Sequence, residues 1–376
     1  MTLTREAAPA ALEVGGSGGT PTISNGNGFD RVTRALGNTA GWKRLGVALG
    51  VYVVCLGLFG VFVASQKANP FGVYQSLLDS SILSTGSVPA VLVRAVPIAL
   101  AALAVSVPAR AGLVNVGGEG QLIIGAVAAT GVGVALGQHV PGPMGWVAMA
   151  LAASLAGAVW AGVAGLLRVT VGANEAVTTL LMNFVANDIM LYLLYQPWKD
   201  PTGGGQPESR PLTSNEVLPR VFGSSVNLGV IVALFVAMGV YVVLKRSGWG
   251  FALRVVGGNQ EAARRAGLPV KTLMVSSMLA GGGLAGLGGM LYLAGTQLQL
   301  LPGGTLDYGY IAFLAAFLGR HDPLKVVLSA LLFSAIAVGA PGLQLNYGFD
   351  GNVVDVLLAL IVCAPLVLSG YRRKAF

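Results

Sequence analysis

A carboxylate surrounded by glycines lies beside two strongly apolar parts of this sequence. Residues 111–125 read AGLVNVGGEGQLIIG, and three glycines lie within two residues of Glu119. Glycine weakens a helix, and backbone groups freed in apolar surroundings need polar partners. Asn115, Glu119 and Gln121 could supply those partners, so the stretch predicts an interrupted helix start held by polar side chains. The same three residues could instead line a polar path.

A second group of polar residues recurs at every fourth position of the apolar stretch ANEAVTTLLMNFVANDIMLYLLY, residues 173–195. These residues are Glu175, Thr179, Asn183 and Asn187. Residues four apart lie on one slowly wrapping face of a helix. Polar side chains within a membrane span face the interior of the helix bundle. The stripe therefore predicts either the lining of a path or hydrogen bonds to neighbouring helices.

Two opposite charges lie at matched depth in different apolar stretches. Arg94 follows the start of the stretch 88–108 by six residues, and Asp188 precedes the end of the stretch 174–195 by seven. At 1.5 Å per helical residue, both lie roughly 9–10 Å below the same membrane surface. This predicts an intramembrane ion pair. The alternative is that each side chain extends separately to the surface.

The elements that must position these residues are membrane-spanning helices. Of the 376 residues, 54% are hydrophobic and 10% are charged, whereas soluble domains carry about 25% charged residues. A span needs about 20 apolar residues. Ten stretches qualify: 46–65, 88–108, 113–137, 144–167, 174–195, 226–244, 271–293, 305–319, 324–340 and 353–369. The composition predicts an all-α polytopic membrane protein of about ten transmembrane helices.

The distribution of basic residues predicts the orientation of these helices. With the N-terminus inside, 18 of the 23 basic residues fall in inner segments and four in outer segments. Basic residues concentrate on the cytoplasmic side of membrane proteins, so both termini are predicted to be cytoplasmic. The net charge of +8 is thus a topology signal, and no nucleic-acid binding is predicted.

Composition also divides the chain into segments. Residues 1–45 are rich in Gly, Ser, Thr and Asn, which predicts a disordered cytoplasmic tail before a membrane domain at 46–376. Residues 196–225 form a predicted external loop. Residues 245–270 form a basic cytoplasmic loop with a predicted short helix at Asn259–Ala266, which ends before Pro269.

Several kinds of chemistry are not predicted. The two cysteines lie in apolar runs and the two histidines are too few for a metal site, so no metal site is predicted. The sequence at 281–286 satisfies G-x-G-x-x-G but lies within an apolar span, where small residues four apart predict close helix packing instead. The sequence contains no phosphate-binding G-x-x-x-x-G-K-[ST] motif, so any ATP would be bound by another subunit.

Three stretches resemble a known family. NVGGEGQLIIGA at 115–126, GANEAVTTLLMNFVA at 172–186 and VVGGNQEAARRAGL at 255–268 resemble permease subunits of bacterial ABC importers of the branched-chain, ribose and nucleoside type. Within this family the stretches resemble the nucleoside branch, which is grouped with simple-sugar permeases. The resemblance runs from about residue 46 to the C-terminus and implies the ABC importer permease fold.

The resemblance implies specific partners and a coupling site. It implies a cytoplasmic ATPase that holds ATP and Mg²⁺, an external substrate-binding lipoprotein, and a second permease, with a heterodimer favoured over a homodimer. The chain would bind no cofactor itself, would not be an enzyme, and would lie in the bacterial cytoplasmic membrane. The coupling helix that docks in the ATPase would comprise Asn259, Glu261, Ala262, Ala263, Arg264 and Gly267.

Three other functions remain open at this level. A simple-sugar permease for ribose or galactose would share the fold and the ATPase. An ion-coupled secondary transporter would use its polar intramembrane residues to bind the ion, but the inner loop with its E-A-A pattern argues against it. A structural or signalling membrane protein would leave the polar stripe unexplained.

Overall fold

The computed structural model describes six stretches of the chain, with side chains from Gly50 onward. These stretches are 39–136, 139–201, 205–221, 225–303, 307–349 and 353–363. Most of the predicted tail (1–38) and residues 364–376, which include the end of the last predicted span (353–369), lie outside them. Regular structure in the described stretches is helical, with one isolated bridge between Arg220 and Asn227. The predicted all-α class is confirmed.

Thirteen helices are found in the described residues. They are α1 (Thr39–Ser65), α2 (Pro70–Leu78), α3 (Ser87–Ala109), α4 (Gly118–Leu136), α5 (Gly142–Thr170), α6 (Glu175–Tyr195), α7 (Leu228–Arg246), α8 (Gly248–Gly258), α9 (Gln260–Arg265), α10 (Val270–Tyr292), α11 (Tyr308–Leu318), α12 (Pro323–Tyr347) and α13 (Val353–Cys363). Short π-helical segments extend α2 to Leu83 and α10 to Gln297.

Seven of these helices are long and apolar enough to cross a membrane, namely α3, α4, α5, α6, α7, α10 and α12. They coincide with seven of the ten predicted spans. An eighth candidate is the pair formed by α1 and α2, which bends by 114° at residues 66–69. The chain is therefore a multi-pass membrane protein.

Three predicted spans differ in detail from the observed helices, one of them (113–137) among the seven that coincide, and the tenth, 353–369, is described only over α13, Val353–Cys363. The span 46–65 is followed by α2, which the sequence did not predict. The span 305–319 corresponds to α11, whose 11 residues reach only about 17 Å and do not cross a bilayer core of about 30 Å. The span 113–137 begins later than predicted, because α4 starts at Gly118.

Helix α3 lies at the centre of the packed helices and contacts α7, α10, α11 and α12. Its buried side chains run without interruption from Ala95 to Pro108. A helix that is apolar all round is the kind that neighbouring helices can enclose. The sequence of α3 therefore accounts for its central position.

Small residues bring α10 close to α5 and α4. A Cβ atom on Gly282 would overlap the carbonyl oxygen of Gly157 in α5, and one on Gly289 would overlap that of Leu122 in α4. Backbones can approach this closely only where side chains are absent. The predicted packing role of the 281–286 glycines is confirmed.

Candidate functional site

The polar stripe of α6 faces the protein interior for three of its four residues. Glu175, Thr179 and Asn183 are buried, and the Asn183 side chain is among the most enclosed polar groups of the helix. Asn187 is half-buried. The spacing therefore predicted the direction of the stripe correctly.

The three buried members of this stripe hold the chain between α3 and α4. We call residues 110–117 the α3–α4 segment. The stripe accepts hydrogen bonds from backbone N–H groups at three points: Glu175 from Val114 at 3.2 Å, Thr179 from Val116 at 3.1 Å and Asn183 from Gly120, at the start of α4, at 2.8 Å. These are the backbone groups that the interrupted helix leaves without helical partners. The stripe thus makes hydrogen bonds to a neighbouring part of the chain, which was the alternative to path lining in the sequence analysis.

Two further predicted residues stabilise the α3–α4 segment from within. The amide groups of Asn115 and Gln121 hydrogen-bond to each other at 3.1 and 2.9 Å, and both residues are buried. Asn115 also accepts from the N–H of Gly117 at 3.0 Å and donates to the carbonyl of Ala104 at 3.2 Å. These two side chains complete a buried network in which each amide has partners.

The glycines of this stretch allow close packing, which corrects the prediction that they loosen the helix. Gly118 and Gly120 lie inside the regular first turn of α4. A Cβ on Gly120 would lie 2.9 Å from the Cα of Asn183, and a Cβ on Gly117 would lie 2.9 Å from the Cβ of Thr179. The missing side chains let α6 approach closely enough for its polar stripe to reach the backbone.

A cavity of about 370 Å³, lined by both polar and apolar residues, opens beside this network. It is lined by Glu119, Ile123, Asn183, Phe184, Asn187, Gly303, Asp307 and Tyr310. The residues come from α4, α6, the start of α11 and, for Gly303, the chain before α11. Glu119 accepts a hydrogen bond from the N–H of Gly309 at 2.6 Å, which holds α11 against α4. We call this space the α4–α6–α11 cavity.

The lining of this cavity combines groups that bind polar ring-shaped molecules. Phe184 and Tyr310 provide aromatic rings, and Asp307 and Glu119 provide carboxylates. Among the described residues, Asn187 is the member of the α6 stripe whose side chain makes no hydrogen bond, so its amide is available to a solute. Aromatic faces, a free amide and acceptor oxygens are the usual components of a small-molecule site.

The sequence predicted only part of this lining. Glu119, Asn183 and Asn187 lie at the cavity, whereas the remaining predicted path residues belong to the buried network: Asn115, Gln121, Glu175 and Thr179. Asp307 and Tyr310 were missed. They lie at the start of a short apolar helix, and no periodic polar stripe marked that helix as facing a path.

The predicted ion pair between Arg94 and Asp188 does not form. The guanidinium of Arg94 donates to the hydroxyl of Tyr308 and to the carbonyl of Ala337, both at 3.0 Å. Asp188 is exposed on the other face of α6. The reason is packing: α6 contacts α4 and α5, whereas α3 contacts α11 and α12. Matched depth did not place the two residues on facing helices.

The basic loop 245–270 contains two helices, α8 and α9, where the sequence predicted one. Helix α9 begins after Asn259, whose side chain accepts from the N–H of Ala262 at 3.0 Å. Gly267 follows it with a φ of +80°, a value that favours glycine. Only Ala263 of this helix is buried. Glu261 pairs with Arg264 at 2.9 Å and with Arg265 at 3.1 Å on the exposed face.

An ion pair between a partly exposed arginine and a buried carboxylate organises the predicted external loop. Arg210 contacts both oxygens of Glu216, at 2.8 and 3.1 Å, and donates to the carbonyl of Gly133 at 2.8 Å. The carboxylate also accepts from the N–H of Thr213. Burial raises the pKa of the Glu216 carboxyl, but the hydrogen bonds from Arg210 and Thr213 lower it more, so the pKa lies below its usual value.

We expect the structure around Glu216 to depend on pH in acid. A lowered pKa means that the folded loop is stabilised above the ordinary glutamate pKa of about 4.3 and loses this stabilisation as the pH falls through the lowered value. Hydrogen exchange of peptides covering 205–221, corrected for intrinsic rates, would measure the loss of protection. In Glu216→Gln this pH-dependent step should be absent. Equal protection of the native loop above and below that range would contradict the prediction.

Comparison with known proteins finds a matching family and several relatives. A family described as "Branched-chain amino acid transport system / permease component" matches residues 87–365. The glucose ABC transporter permease protein TsgB13 of Haloferax volcanii is 34% identical over 88% of this chain and 90% of its own length. The guanosine ABC transporter permease protein NupP of Bacillus subtilis is 32% identical over 74% of this chain and 80% of its own.

A third relative is the nucleoside ABC transporter permease protein NupB of Lactococcus lactis, 28% identical over 78% of this chain and 83% of its own length. No solved structure matches the sequence. The family match covers most of the chain, including the α3–α4 segment, the α4–α6–α11 cavity and α9. The chain is a transport subunit rather than an enzyme, and it belongs to the family of branched-chain amino acid transport system permease components found in ABC transporters.

Proposed function

We propose that this chain is the permease subunit of an ATP-driven importer that carries nucleosides across the bacterial cytoplasmic membrane. The observation that supports this substrate class is the lining of the α4–α6–α11 cavity, where aromatic, amide and carboxylate groups occur together. Relatives named for guanosine and nucleoside transport support the same class.

Each part of a nucleoside has a chemical counterpart in this cavity. The rings of Phe184 and Tyr310 offer flat apolar faces for a base. The amide of Asn187 can donate to and accept from a base edge. The carboxylates of Glu119 and Asp307 can accept hydrogen bonds from ribose hydroxyls. Binding need only be weak, since a transported molecule must also leave.

We propose that α9 is the coupling helix on which a cytoplasmic ATPase acts. It is short, exposed and anchored by the single buried side chain of Ala263. ATP and Mg²⁺ would be bound by that ATPase. A loaded substrate-binding lipoprotein would dock at the outer end, and ATP binding would displace α9, so that the path opens alternately to the two sides.

A second, different permease subunit completes the proposed assembly. Bacillus subtilis and Lactococcus lactis each have two distinct permeases similar to this chain. The exposed Asp188 on α6 agrees with a covered face, because a charge directed at lipid is unfavourable. A heterodimer accounts for both observations.

A simple-sugar importer is the second candidate. Its support is the glucose permease of Haloferax volcanii, which is 34% identical to this chain. A cavity with aromatic rings and carboxylates also suits a sugar, because sugar C–H groups pack on aromatic faces and sugar hydroxyls donate to carboxylates. The substrate class must therefore be decided by comparing the uptake of nucleosides with the uptake of sugars.

Uptake into proteoliposomes tests the proposal. The vesicles would contain this chain with its cognate ATPase and second permease, and the binding protein would be added outside. Labelled guanosine, uridine, glucose and ribose would be compared with ATP inside. We expect ATP-dependent uptake of nucleosides. Uptake of sugars alone would establish the second candidate, and uptake driven by an ion gradient without ATPase would contradict both.

A pair of variants tests the coupling role of α9 in the same vesicles. Ala263→Arg places a long charged side chain at a buried position and should abolish uptake. Lys67→Ala changes an exposed basic residue between α1 and α2 and should leave uptake unchanged. Equal uptake by the two variants would remove α9 from the coupling route.

A further inference from the structure

The coupling loop contacts the start of the α3–α4 segment directly. Gly257, in the last turn of α8, lies against Arg110, and a Cβ at this position would overlap the Arg110 carbonyl oxygen and lie 3.2 Å from the N of Gly112. Gly112 has a φ of +78°, and its own Cβ would lie 3.5 Å from the Cα of Gly257. Backbone therefore meets backbone at this point, with no side chain between.

An apolar cluster joins the same elements beneath this contact. Ala111 and Leu113 of the α3–α4 segment are 0% and 1% exposed, and they share one buried cluster with Leu253 and Val256 of α8 and with Ala263 of α9. Close-packed groups of this kind transmit displacement, because no free volume absorbs it. A movement of α9 must therefore carry α8 and residues 110–113 with it.

The other end of the α3–α4 segment reaches the α4–α6–α11 cavity. Its backbone is held to the stripe of α6 at Val114 and Val116, and α4 begins at Gly118. Glu119 follows at once and lines the cavity. Only six residues of chain thus separate Gly112, at the coupling loop, from Glu119, at the cavity.

We propose that Gly257 is a positioning residue that links the ATPase to the substrate path. Its backbone contact with Arg110 and Gly112 passes the displacement of α8 and α9 along the α3–α4 segment to Glu119. This inference rests on the proposed function, because it takes α9 as the site of ATPase action and the cavity as part of the path. The contact joins the coupling loop to the segment that leads to the cavity, and packed contacts of this kind can carry coupling between two sites.

Two adjacent glycines provide a matched test. Gly257→Ala inserts a methyl group into the backbone contact, whereas a Cβ on Gly258 would meet no atom within 4 Å. We expect Gly257→Ala to keep ATP hydrolysis but to lower uptake per ATP hydrolysed by about 10-fold. Gly258→Ala should keep the native ratio. A merely structural defect would lower hydrolysis and uptake together, so an unchanged ratio in Gly257→Ala overturns the proposal.

A second pair of variants applies if Gly257→Ala does not fold. Leu113→Ala removes a buried side chain of the shared cluster without adding atoms, whereas Val114→Ala trims a side chain that is 40% exposed. We expect Leu113→Ala to lower the ratio of uptake to ATP hydrolysis by about 3-fold and Val114→Ala to leave it unchanged. The same ratio in both variants would overturn the proposal.

A labelling experiment separates failure of this inference from failure of the proposed function, because it needs no substrate. Asn187→Cys, in a background of Cys55→Ser and Cys363→Ser, would report cavity access to a maleimide in the assembled transporter. We expect ATP trapping to change the labelling rate about 5-fold, and Gly257→Ala to remove that change. An equal change in Gly257→Ala would overturn the linkage alone. No change with native Gly257 would overturn the proposed function and the linkage with it.

Discussion

Replacing Gly282 with alanine should prevent α10 from packing against α5, and we expect a large loss of stability. The new Cβ would overlap the carbonyl oxygen of Gly157 and lie 2.8 Å from its carbonyl carbon. These two obstacles are backbone, and the third, the Cβ of Ala161 at 2.5 Å, has no rotamer through which it could move aside. Overpacking of a close-packed interior costs about 1–3 kcal/mol, and we expect the upper end of that range.

The neighbouring residue supplies the control for Gly282. A Cβ on Gly283 would lie 3.4 Å from the carbonyl oxygen of Ser154 and 3.7 Å from the Cβ of Ala158, which is close to ordinary contact. Thermal unfolding of the purified variants in detergent would measure the difference. We expect Gly282→Ala to unfold several degrees below Gly283→Ala. Coincident unfolding curves of the two variants would contradict the prediction, because they would show that α5 and α10 can move apart at no cost in stability.

Replacing Asn183 with alanine should loosen the α3–α4 segment and lower both stability and transport. The side chain accepts from the N–H of Gly120 at 2.8 Å and donates to the carbonyl of Val116 at 3.1 Å, and it is 3% exposed. Truncation leaves two backbone groups without partners. Each buried unsatisfied group costs about 1–3 kcal/mol, so we expect a loss of about 2–6 kcal/mol.

Asn187 lies one helical turn from Asn183, and we expect its replacement by alanine to affect transport but not stability. It is half-buried and, within the described part of the chain, its side chain makes no hydrogen bond, so Asn187→Ala should unfold at the native temperature. Because its amide faces the cavity, we expect the KM for nucleoside uptake to rise about 5-fold, the value of one hydrogen bond. Thermal unfolding and uptake kinetics measured on both variants would reveal the two effects. A stable Asn183→Ala would contradict the holding role of the stripe.

Local features of the sequence predicted much of this structure. Seven of ten predicted spans correspond to observed membrane-length helices, because hydrophobic length is a property of a single stretch. The inward direction of Glu175, Thr179 and Asn183 was predicted correctly, since polar groups in lipid are unfavourable on any exposed face. The proposed roles of these residues in a transport path remain predictions.

Contacts between distant stretches were predicted poorly. Arg94 was expected beside Asp188 but hydrogen-bonds to Tyr308. Asp307 and Tyr310 of the cavity were not identified at all. A helix repeat gives direction around its own axis and depth along it, and neither quantity names the neighbouring helix. The function of the glycines near Glu119 was misjudged for the same reason, because close approach is visible only when the partner is known.

The sequence by itself therefore determined the membrane class, most of the spans, the polar stripe of α6 and the short helix α9. Each of these depends on the length, period or capping of one continuous segment. The tertiary structure alone decided that Arg94 joins α11 and α12, that α6 holds residues 114–120, and that Gly257 lies against Arg110. These arrangements depend on how all the helices pack at once, because every close contact requires space on both of its partners.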